Sequence, residues 1–108
     1  MNKYRELVER WIYRGFELSI YKIAYLEHLC GYIALPEHTR FAGMSTNDLD
    51  KLLDLHGGIT YHERNVIGFD THHAGDVSED GMPNKDVMYV IDQLETAVRR
   101  LDPIKELF

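Results

Sequence analysis

The sequence predicts an α+β domain: a small antiparallel sheet of about four strands, with an N-terminal and a C-terminal helix packed on it. Three observations predict it. Apolar residues recur at helical spacing near both ends of the chain and switch to a period of two between them. Breaks bearing glycine, proline and asparagine cut the middle into runs of strand length. The length, 108 residues, suits one domain with one core, so residues 1–108 are read as a single unit. The resulting order is helix, two strands, short helix, two strands, long helix, which fits one sheet covered on one face.

The first element is residues 3–13, where Tyr4, Leu7, Val8, Trp11 and Ile12 share one helical face. Lys3, Arg5, Glu6, Glu9 and Arg10 cover the other, and Gly15 is placed to end the helix. Phe16, Leu18 and Ile20 then alternate with Glu17, Ser19 and Tyr21, the pattern of a half-buried strand. A helical reading of residues 16–30 competes with it. After a polar break at Glu27 and His28, the run CGYIALP (Cys30–Pro36) is a second strand stopped by proline, pairing antiparallel with the first.

Residues 37–45 make a polar loop. Ser45 or Thr46 caps a short helix, NDLDKLLDL, in which Asp48 suits the first turn and Leu49, Leu52 and Leu53 give an apolar side. HGGITY (His56–Tyr61) and VIGFDTHH (Val66–His73) are the third and fourth strands, with HERN as their hairpin connection. Residues 74–84 have loop chemistry. The closing helix follows Asn84 as N-cap, with Val87, Val90, Ile91, Leu94, Ala97, Val98 and Leu101 in a stripe. Arg99 and Arg100 suit its last turn, and Pro103 stops it. The tail IKELF is expected to dock on the body or on a second copy.

Composition excludes several function classes. The formal charge of −6 repels a phosphate backbone, which argues against general nucleic-acid binding. No apolar run approaches about 18 residues, and the charged N-terminal stretch lacks the apolar centre of a secretory signal. The single cysteine, Cys30, permits no disulfide within the chain and fits the cytoplasm. It reads as buried packing.

Chemistry concentrates between His56 and Asp76. This stretch holds four of the six histidines, four of the eight glycines, and Asp70 and Asp76. Side-by-side third and fourth strands would bring His56 or His62 near Asp70 and His72, two residues apart on one strand face. A carboxylate beside an imidazole fixes its tautomer and raises its pKa, which suits base chemistry, metal ligation or donation to a phosphate; the alternative is a hydrogen-bonded structural pair or solvated loop residues. Gly57 and Gly58 could present bare amides to an anion, or form a tight turn. Arg40 and Arg64 could clamp phosphate, and Tyr32, Tyr61 and Phe69 could stack on a ring or serve as sheet partners. The expected ligand-binding set is therefore His56, Gly57, Gly58, Tyr61, Arg64, Phe69, Asp70, His73, Asp76 and Arg40. His56, Asp70, His72 and Asp76 are metal-ligand types, but their spacing matches no metal signature, and no metal or other cofactor is expected. Ser45 and Ser78 lack a nucleophile-elbow context.

HGGITY and GFDTHHAGD (Gly68–Asp76), with CGYIALP before them, resemble a family of small phage and bacterial proteins. Its order is GYV-x-hydrophobic-P, HGG-hydrophobic-T-aromatic, then GFD-x-x-H-x-GD. The resemblance covers roughly residues 14–100 and makes His73 the shared histidine; His72 stands where the family more often has a small residue. It implies a phage-encoded accessory protein in the host cytoplasm, of the kind that counters bacterial immunity. Some such proteins are compact oligomers that hold a nucleotide signal without converting it.

Three functions fit these residues. The leading one is a homo-oligomeric binding protein that sequesters a small nucleotide-like signal. The second is a hydrolase or lyase with His73 or His56 as base and Asp70 as its orienting partner. The third is an acidic inhibitor that covers a basic protein surface, using the loop at Glu79 and Asp80.

Overall fold

The computed structural model describes residues 4–25, 27–79 and 81–107. Lys3, Asp80 and Phe108, named above, lie outside them. The chain folds as an α+β domain with strands β1 (Arg5–Tyr13), β2 (Phe16–Ile23) and β3 (Leu29–Ala34), helix α1 (Thr46–Leu53), strands β4 (Tyr61–Glu63) and β5 (Val66–Asp70), and helix α2 (Val87–Leu101). The five strands form one sheet in the order β1-β2-β3-β5-β4, with every neighbouring pair antiparallel.

The N-terminal segment is a strand and not the expected helix. Its register against β2 slips between Leu7 and Glu9, where Val8 forms a bulge. A bulge inserts one residue and reverses the inside–outside phase beyond it. The apolar residues therefore fall at 7, 8, 11 and 12, which imitates helical spacing. Gly15 ends no helix; Arg14 (φ 51°) and Gly15 (φ 85°) form the two-residue hairpin turn between Tyr13 and Phe16. Positive φ at both central residues matches the twist of the flanking strands.

The second hairpin also differs in its bounds. HGGITY is mostly loop, with only Tyr61 entering β4, and the β4–β5 connection is the pair Arg64–Asn65. Arg64 has a φ of 54°, and the Asn65 side-chain amide donates to the Leu35 carbonyl at 2.9 Å. β5 stops at Asp70, so His72 and His73 lie beyond the strand. The N-cap of α2 is Asp86, whose carboxylate accepts from the Tyr89 amide at 2.9 Å, and not Asn84. Ser45 caps α1, accepting from the Asp48 amide.

α1 and α2 bury one face of the sheet. Phe16, Leu18 and Ile20 of β2, Ile33 of β3, and Ile67 and Phe69 of β5 meet Leu49, Leu53, Val90, Leu94, Val98 and Leu101 in a continuous core. Gly31 sets the approach of α2, because a Cβ there would lie 2.8 Å from Phe69 and 3.0 Å from Val90. Trp11 donates from its indole nitrogen to Glu95 at 3.0 Å, tying the edge strand to α2. Ile104, in the turn after α2, packs on this core, so the start of the tail docks on the body. No helix among the described residues is long and apolar enough to cross a membrane. Neither described helix packs on the opposite sheet face.

Candidate functional site

The structure gathers the expected His/Asp cluster, with most of its polar groups bound to internal partners. His56 lies in the loop after α1 and is held on three sides. Its backbone amide donates to Gln93 Oε1 at 3.0 Å, its Nδ1 lies 2.6 Å from the Tyr89 hydroxyl, and its Nε2 lies 2.8 Å from Asp76 Oδ2. In the neutral ring, Nε2–H donates to the carboxylate and the Tyr89 hydroxyl donates to Nδ1, so every polar atom of the ring is used. Asp76 is 2% exposed and also accepts from the His73 amide at 3.1 Å. Burial pushes the Asp76 carboxyl up, but the hydrogen bonds from His56 and the His73 amide, with the electrostatic pull of the nearby His56 and Lys85, outweigh it and hold the carboxyl below its usual range.

His73 packs on Gly57, where a Cβ would sit 2.3 Å from Nε2. That contact, together with a φ of 69°, requires glycine at this position. His73 Nε2 lies 3.3 Å from Asp70 Oδ1, within ion-pair range but outside hydrogen-bond geometry. The Gly58 amide is committed to the Leu55 carbonyl at 2.9 Å, so the double glycine lies in a turn and that amide is already used. Asp70 accepts from the His72 amide at 2.9 Å. Burial raises the Asp70 carboxyl, yet the His72 amide, the Thr60 side chain and the nearby His73 and His28 bring it below the usual range.

The remaining expected residues scatter. Phe69 is in the core; Arg64 is exposed in the hairpin turn and Arg40 in the 3-10 turn after β3. His62 faces Thr46, with Nδ1 2.7 Å from its hydroxyl. His72 stacks on the buried His28, ring centroids 4.7 Å apart and 24° between planes. His28 Nδ1 has no hydrogen-bond partner among the described residues. Burial first, then the neighbouring His72, lowers the His28 pKa.

A cavity of about 320 Å³ lies on the sheet face opposite the helices and is not lined by the histidines. Strand register explains its composition. Arg10, Ser19, Tyr32, Gly68 and Tyr61 stand side by side across all five strands, and Ile12, Glu17, Ala34, Val66 and Glu63 form the next row. Ser19, Ala34 and Val66 are small enough to leave a hollow, walled by Tyr21, Tyr32, Tyr61, Arg5, Arg10 and Glu17.

The three tyrosines form an edge-to-face ladder. Tyr21 and Tyr32 are 5.7 Å apart at 78°, and Tyr32 and Tyr61 are 5.4 Å apart at 88°. Gly68 makes room for it, since a Cβ there would lie 2.5 Å from Tyr32 Cδ1 and 2.8 Å from the Gly31 carbonyl oxygen. The Arg5 guanidinium lies 4.1 Å from the Tyr21 ring centroid and 5.6 Å from that of Tyr32. Arg10 donates to the Tyr21 hydroxyl at 3.2 Å and pairs with Glu17 at 3.4 Å. Burial, then the Cys30 sulfur, pushes the Tyr32 phenol up to about 12, so it stays a protonated donor. Cys30 is pushed up to about 11, by burial and then by Asp70, and is a poor nucleophile.

Comparison with protein-family models, with curated proteins and with solved structures finds no match to this chain. Sequence reasoning singled out Tyr32 and Tyr61 but missed Arg5, Arg10, Glu17, Ser19 and Tyr21 as site residues. The alternation of Glu17, Ser19 and Tyr21 was a visible signal. The β1 contribution was hidden by the bulge. Neither the sheet-face cavity nor a second one of about 200 Å³, lined in part by Tyr25, His72 and Met82, is lined by His56, Asp70, His73 or Asp76.

Proposed function

We propose that this protein binds a small nucleotide-like anion on the open face of its sheet and holds it without converting it. The observation that carries this reading is the cavity in which two arginines adjoin a ladder of three tyrosines. Guanidinium groups bind phosphate oxygens, and the tyrosine rings offer a surface to a base. The volume lies at the lower end of the range for small-molecule sites. The cavity wall supplies guanidinium, phenol and carboxylate groups that can hold a ligand by hydrogen bonds. His56, Gly57 and Asp76 contribute by fixing the loop behind the sheet, not by touching ligand.

In the setting implied by the HGGITY and GFDTHHAGD motifs, the ligand is a host immune signal and the activity is its sequestration in the cytoplasm. A homo-oligomer belongs to this proposal, because the edge strand β1 exposes Leu7, Val8 and Ile12, the last 75% exposed. Calorimetry against a panel of mononucleotides and signalling nucleotides tests the reading, with mass spectrometry of the ligand recovered after denaturation. The proposal expects saturable binding and an unaltered ligand. No binding by any of them, or recovery of a hydrolysed product, contradicts it.

A further inference from the structure

We infer that the ligand carries a ribose with free hydroxyls and lies across the strands, with phosphate on β1, sugar on β2, and base against Tyr32 of β3 and the Tyr61 ring that leans toward it over Gly68. This rests on the ligand reading above and specifies its chemistry. The order of side chains across the sheet is the argument. Arg5 and Arg10 stand on β1, Glu17 and Ser19 on β2, Tyr32 on β3, and Tyr61 on β4 beyond Gly68. Neighbouring strands are about 4.8 Å apart, so β3 lies roughly 10 Å from β1, about the reach of one nucleotide from phosphate to base.

Glu17 is the residue that a plain anion site does not explain. Its carboxylate lines the cavity and lies 3.4 Å from Arg10 Nε, where it opposes the positive charge offered to a phosphate. Both partners are more than half exposed, at 53% and 54% of their side-chain surface, and such pairs stabilise a fold little. A carboxylate between an anion subsite and an aromatic subsite has a ready use as acceptor for two adjacent sugar hydroxyls. Carboxylates read ribose in this way in nucleotide-binding folds. Ser19 beside it supplies a small hydroxyl-bearing floor, leaving room for the sugar ring.

The test is calorimetry on the full chain with the four ribonucleoside 5′-monophosphates, their 2′-deoxy counterparts, the free nucleosides and inorganic phosphate. A charge-assisted hydrogen bond lost at a built acceptor predicts deoxy forms bound roughly ten- to a hundredfold more weakly. In Glu17→Ala the gap closes to about twofold or less, with thermal melting unchanged because the side chain is exposed. Glu17→Gln, which keeps a carbonyl acceptor, retains part of the gap. Equal binding of ribo and deoxy forms to the native chain overturns this inference and leaves the ring-and-anion reading standing. Inorganic phosphate binding as tightly as the nucleotides overturns the assignment of both sugar and base. If no nucleotide binds the native chain, the underlying ligand reading falls with it.

Discussion

Replacing His56 by alanine distinguishes a structural pin from a working base. The substitution removes the donor to the buried Asp76 carboxylate at 2.8 Å and the acceptor of the Tyr89 hydroxyl at 2.6 Å, while the backbone bond to Gln93 survives. A hydrogen bond to a charged group contributes about 1.5–3 kcal/mol and a neutral one about 0.5–1.5 kcal/mol. The His56 side chain is 18% exposed, so water partly re-solvates the gap and the lower part of the sum applies, about 2–3 kcal/mol. That is a large fraction of the roughly 5–15 kcal/mol expected for a domain of this size. Urea unfolding followed by circular dichroism measures it, with Tyr89→Phe as a partial control losing about 1 kcal/mol. Ligand binding by the folded fraction should stay within about twofold of the native chain. A His56→Ala protein that keeps its stability to within about 0.5 kcal/mol but loses ligand binding or turnover would refute the reasoning.

Other expectations follow from the same contacts. Gly57→Ala places a Cβ 2.3 Å from His73 Nε2 at a φ of 69°, and should cost about 2–4 kcal/mol in urea unfolding from overpacking and backbone strain together. Gly68→Ala drives a methyl against Tyr32 and the Gly31 carbonyl; it should lower stability by about 1–3 kcal/mol and weaken ligand binding about tenfold by displacing the ring, both measurable on one preparation. His28 is held neutral, with its folded pKa below the ordinary 6.5, so the unfolded chain binds more protons just beneath that value. Its stabilising effect is complete above pH 6.5 and declines as pH falls below it until the folded pKa is passed; urea midpoints across that range should show the decline, and His28→Gln should flatten it. Asp70 and Asp76 are depressed, so their contribution is full above the ordinary 3.8 and is lost only as pH drops below that, toward and through their folded values.

Local patterns carried much of the fold. The alternation from Phe16 to Tyr21, the CGYIALP run and the stripe of α2 each read as the element they form, because each is amphipathic at its own period. β1 was illegible because the bulge at Val8 shifts the phase of its alternation, and no local signal distinguishes that from a helix. Reading β1 as a helix is what left the expected strand count at four. His56 and Asp76 could be suspected of meeting, since 20 residues of loop and hairpin separate them. Their closure by Tyr89 and Gln93 of α2 could not be suspected, because nothing in the sequence says which helix face reaches the loop. The cavity was hidden most deeply. It depends on the register of all five strands, which sets Arg10 in line with Tyr61 although they lie at opposite edges of the sheet.

The most direct test of the account compares two variants in one nucleotide titration: Arg5→Ala with Tyr32→Ala on the open face, and His73→Ala behind it. The account predicts that the open-face double variant loses binding at least about a hundredfold while His73→Ala binds within a few-fold of the native chain. Full-strength binding by the open-face variant, with loss in His73→Ala, would contradict it.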